Sequence, residues 1–140
     1  MVTYLEWDLR YSKRQLLIAF LCYIFSMSAY NQVQNNLESN WNGEWVAEGT
    51  IFKVRVEAED SDLTVYQIES MGFDWTNEVG ELKGNIATIN VEYAGVKGII
   101  QVEFIDETTA NVFAASCIPE YMVVCLLAKD QKAVFKKVLP

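Results

Sequence analysis

Two cysteines, Cys117 and Cys125 in the stretch SCIPEYMVVC, are the residues whose type and spacing first suggest chemistry. A pair of thiols serves as a redox couple, as part of a zinc site or as a disulfide. Seven residues lie between them, which does not match the CxxC motif of thiol oxidoreductases. The chain contains no histidine, so the two thiolates alone make an incomplete zinc site. The same absence removes Ser-His-Asp and Cys-His catalysis and the commonest iron ligand sets.

Carboxylates are the chemistry that remains. A glycosidase-like pair needs two acids in one cleft with one pKa raised, whereas Glu57, Glu92 and Glu103 alternate with apolar residues, as solvated outward positions do. Asp60-Ser61-Asp62 is rich in oxygen but lacks the longer ligand series and distal Glu of a calcium loop, so a turn with solvated charges is expected. The seven glycines are scattered, and none forms a phosphate-cradling loop. These features predict no metal, no cofactor and no enzyme. The alternative left open is a carboxylate-based enzyme acting on a saccharide or lipid, or a structural component of the cell envelope.

What the cysteines do depends on the compartment, which the N-terminus addresses. A polar segment ending in Lys13 and Arg14 precedes ten uninterrupted apolar residues, Leu16 to Phe25, and then the small residues of SMSA. That is the plan of a secretory signal peptide over residues 1–28, cut before Ala29. The apolar run is shorter than the roughly 20 residues a membrane span needs, so an anchor over residues 15–30 is the second reading. In either case the basic pair stays inside and the rest of the chain is exported, to a periplasmic or extracellular space. Cys22 lies in the apolar run and goes with it on cleavage, so the exported part keeps two cysteines, and an even count there favours a disulfide between Cys117 and Cys125.

Residues 1–28 hold three basic and two acidic residues, so the remainder, with 8 basic and 17 acidic, carries a charge of −9. A body this acidic has no electrostatic footprint for nucleic acid or anionic lipid. Membrane contact is expected only through an uncleaved N-terminal segment. Lys129, Lys132, Lys136 and Lys137 crowd the C-terminal end, where a solvated sheet edge accounts for them.

After a short lead-in over 29–43, the segment 44–140 alternates with period two, and its turns recur about every ten residues. In TIFKVRVEA, Phe52, Val54, Val56 and Ala58 share one face. LTVYQIES, VGELK, IATINVEY, IIQVEFI, TANVFAASC, MVVCLLA and AVFKKVL follow as further strands. EDSD, Gly84-Asn85, AGVKG and DETT are turns between them. The chain is therefore all-β, an antiparallel meander of about eight strands closing into a small up-and-down barrel or a bent sandwich. TANVFAASC and MVVCLLA read as a hairpin, and a loop with an odd number of residues centred on Tyr121 would set Cys117 across from Cys125. The disulfide would then hold Ile118, Pro119, Glu120 and Tyr121 as a rigid loop for a protein partner.

The aromatic content is heavy for so small a barrel. The simplest expectation is that large side chains plug an eight-stranded interior. The alternative is that Phe52, Val54, Trp75, Tyr93, Phe104 and Phe113 line a pocket for an apolar ligand.

The stretch Trp41-Asn42-Gly43-Glu44-Trp45 resembles the Gly-x-Trp opening of lipocalins and of smaller lipocalin-like periplasmic barrels, some of which inhibit proteases. The resemblance implies a barrel whose closed end is capped by Trp45 beside Gly43. It also implies a late arginine over that tryptophan. No arginine follows Arg55, so Lys136 or Lys137 would stand in its place. The function expected is an exported binding module that holds an apolar small molecule or a protein partner.

Overall fold

The computed structural model describes residues 16–23 and 38–140. Residues 16–23 are helical and belong to a unit, Met1–Asn36, distinct from Leu37–Pro140. Lys13, Arg14 and the expected cut before Ala29 lie outside the described residues, as does most of the 29–43 lead-in. Among the described residues no helix is long and apolar enough to cross a membrane.

Period-two sequence becomes strand throughout the second unit. The strands are β1 (Gly43–Ala47), β2 (Lys53–Glu59), β3 (Asp62–Glu69), β4 (Thr76–Asn77), β5 (Gly80–Lys83), β6 (Ile86–Tyr93), β7 (Val96–Asp106), β8 (Thr109–Ile118) and β9 (Lys132–Lys137). Antiparallel neighbours run β5-β3-β2-β1-β9-β8-β7-β6 and return to β5, so eight strands close a barrel. Tight turns set this order: Asp60-Ser61 and Ala94-Gly95 each place two residues at positive φ between paired strand ends. Such turns match the natural twist of a hairpin. Register shifts opposite Lys53/Val54 and Ile99/Ile100 leave Ile68 of β3 and Ala115 of β8 as extra residues and bend those strands around the small circumference.

The fourth lane of the wall is broken, and this affects the site. β5 pairs with β3 only through Asp62↔Glu81 and Leu63↔Gly80. Above that point the two-residue β4 pairs with β6 alone. Side chains bridge the remaining seam: Gln67 Nε2 donates to the Trp75 carbonyl, and Asn77 Nδ2 donates to the Val65 carbonyl at 3.3 Å.

One end is closed by aromatic packing. Trp41 and Trp45 are buried, and the Phe104 ring lies 5.1 Å and 6.1 Å from them. Trp45 Nε1 donates to the Trp41 carbonyl at 2.9 Å. Lys137 Nζ sits 5.5 Å from the centre of the Trp45 ring and donates to the Asn40 carbonyl at 2.8 Å, an attraction between cation and ring face. Of the two lysines that the resemblance offered for a place over Trp45, it is Lys137 that lies there. Burial holds its pKa below the ordinary lysine value, and the charge of Glu107 works against that shift.

Gly43 makes room for this arrangement. Its φ is +131°, and a Cβ there would lie 3.0 Å from Lys137 Cε. Gly43→Ala is therefore expected to cost about 1–3 kcal/mol of stability, measured by denaturant unfolding. A change within a few tenths of a kcal/mol would show that the backbone relaxes freely.

The segment MVVCLLA departs from expectation, because Val123–Ala128 is a short helix and not a strand. β8 is paired to β9 only over Thr109–Phe113, so residues 119–131 have no strand to lie against. Backbone groups without a ladder must be satisfied locally, and here Leu126 N–H donates to the Met122 carbonyl and Lys129 N–H to the Cys125 carbonyl, both at 3.0 Å. The disulfide nevertheless forms, with Cα atoms 5.4 Å apart. It joins the end of β8 to a helix, so the odd-loop hairpin is replaced by a pinned helical connection.

Candidate functional site

The barrel is hollow above its aromatic floor. A cavity of about 370 Å3 occupies the interior, so the expectation of a plugged barrel gives way to a pocket. The reason lies in where the large rings sit. Trp41, Trp45 and Phe104 gather at the closed end, while the middle of the wall is built from valine and isoleucine. Val54 and Val56 on β2, Ile89 on β6 and Val102 on β7 are too short to meet across the centre. Every residue lining the cavity is apolar or aromatic, and none is charged.

Of the six residues expected to form a pocket, Phe52, Val54, Trp75 and Tyr93 line the cavity. Phe104 lies beneath it, in the floor against Trp41 and Trp45. Phe113 is a correction, since it is on the outer face with Lys132 Nζ 5.3 Å from its ring centre. Parity decides this. Phe104 pairs with Ala110 and Val102 with Val112, so Ala110, Val112 and Ala114 of β8 point inward and Phe113 points out. Val112 and Ala110 line the cavity and were missed. Continuing the inward face of β7 across the turn would have found them.

The mouth has its own construction. Phe73 and Trp75 come from the connection that crosses the broken wall, and the Phe73 ring lies 5.8 Å from that of Tyr93. Opposite them the short helix places Val124 against the cavity, while Cys125 is buried and tied to Cys117. The disulfide therefore fixes one side of the opening. Ile118, Glu120 and Tyr121, expected as a partner loop, are exposed beside it, and Pro119 is half-buried.

Trp41 Nε1 is shut off from solvent and, among the described residues, has no hydrogen-bond partner. It is a local cost of the ring packing at the floor.

The acidic residues lie elsewhere. Glu57, Glu59, Asp60 and Asp62 share a shallow groove outside the barrel with Thr64, Tyr66 and Val79. Among the described residues no three histidine, cysteine or carboxylate groups are placed to hold a metal ion. No protein-family model, no curated protein and no solved structure matches this chain.

Proposed function

We propose that this protein is an exported, lipocalin-like binding module that holds an uncharged apolar small molecule inside its barrel and catalyses no reaction. The observation carrying the reading is the cavity of about 370 Å3 with a wholly apolar lining. Its size falls in the range of small-molecule pockets, and an apolar cavity takes up apolar guests. A charged ligand would lose its hydration without gaining a partner, because among the described residues no charged group lines the cavity. A neutral hydrocarbon or a flat ring system loses nothing comparable. The Gly43, Trp45 and Lys137 assembly supports the lipocalin-like reading, and the Cys117–Cys125 disulfide supports an oxidising compartment.

The test is a titration of tryptophan fluorescence with a neutral naphthylamine dye and with a carboxylated analogue of the same dye. The neutral dye is expected to saturate with one site per chain, and the carboxylate to bind at least about tenfold more weakly. Equal affinity for the two, or no saturable response, would contradict the proposal.

A further inference from the structure

The exposed apolar residues of the barrel are concentrated around the mouth. Three of the four connections at that end carry Ile51, then Met71 and Phe73, then Tyr121, Leu126 and Leu127, all exposed. Leu126 and Leu127 are 61% and 72% exposed on a helix whose orientation is fixed by the disulfide. The turns at the opposite end, over residues 60–61, 84–85 and 107–108, carry no exposed large apolar side chain, and the exposed apolar residues there are Ile105 on β7 and Val138 and Leu139 after β9. Contiguous exposed apolar surface on a soluble domain marks a contact site.

Continuity and charge point to what makes the contact. Phe73 and Val124 line the cavity and are also exposed at its mouth, so the apolar rim and the apolar interior form one surface. An uncharged ligand of the kind proposed above resides in lipid, and only an apolar phase seated on the rim lets it pass without crossing water. The helix carries no charge and is followed by Lys129, Asp130 and Lys132, whereas the opposite end gathers Glu59, Asp60, Asp62, Asp106 and Glu107 around Lys83, Lys136 and Lys137. Docking by the rim thus directs the acidic end away from the lipid.

We infer that the rim of the barrel docks on the surface of a bilayer of neutral lipid and opens the cavity directly to it. The inference rests on the cavity being a ligand site. The bound state inserts leucine and aromatic side chains at headgroup level. It needs no anionic lipid, consistent with a body charge of −9.

The experiment is flotation of the full chain with phosphatidylcholine vesicles, compared with the double variant L126E/L127E and with Met71→Glu from a separate connection. All three positions are exposed, and a thiol titration verifies that the disulfide is intact. Because residues 16–25 are themselves apolar, the reading is the difference between parent and variants. The double variant is expected to lose about tenfold or more in vesicle partitioning and Met71→Glu a smaller part. Uptake of the neutral dye in vesicle-free buffer should be unchanged. Equal partitioning of parent and variants would overturn the docking, and so would binding that appears only when anionic lipid is added. Neither result would alter the dye titration, which tests the cavity separately.

Discussion

Replacing Val102 and Val112 together by phenylalanine is expected to abolish uptake of the neutral dye while leaving the barrel folded. The two residues are register partners on β7 and β8, and both line the cavity. Larger side chains in a filled core cost about 1–3 kcal/mol through strain. Here the added rings enter space that is already open, so they restore dispersion contacts that the valines lack. Thermal stability should therefore stay level or rise. A ligand denied that volume loses at least about 3 kcal/mol of apolar contact, a hundredfold in affinity. Dye titration and thermal unfolding of the same preparation read both effects. Unchanged dye affinity would place the ligand outside the barrel, and a marked fall in Tm would mean that the interior holds no such space.

The second large effect concerns the disulfide. C117S/C125S is expected to lose about 2.5 kcal/mol, the chain-entropy value for closing a loop of this length. For a domain of this size that corresponds to a fall of roughly 10 °C in Tm. Reduction of the parent should give the same result. A functional consequence follows from the placement of Val124, which the bridge to Cys125 holds against the mouth of the cavity. Without the bridge the helix has no strand beside it to keep it in position, so dye dissociation should accelerate. If Tm and dissociation rate both stay at parental values, the bridge has no part in holding the mouth.

Strand positions were legible because each strand has one wet face and one dry face. Lys53, Arg55 and Glu57 against Val54, Val56 and Ala58 fixed both the extent and the inward side of β2. Closure was legible in outline from the number of sequential antiparallel strands, and the place of Gly43 and Trp45 at the closed end only from the resemblance. Two things were not legible. MVVCLLA is as apolar and β-branched as a strand, and it becomes a helix because β9 begins too late to pair with it, a fact of register that composition does not carry. Whether the interior is filled depends on where aromatic rings sit along the barrel axis, and period two gives only their side. Phe113 shows the same limit: its type suggested the core, and its parity with Ala110 and Val112 put it on the outer face beside Lys132.

The central claim is that the barrel encloses a dry apolar space able to accept a guest. Diffraction from crystals of the protein pressurised with xenon tests it most directly, because xenon occupies apolar voids without needing a polar partner. The account predicts a xenon site inside the barrel between Ile89, Val102 and Val112, absent from crystals of V102F/V112F. An interior without xenon, with side chains meeting across the barrel axis, would contradict it.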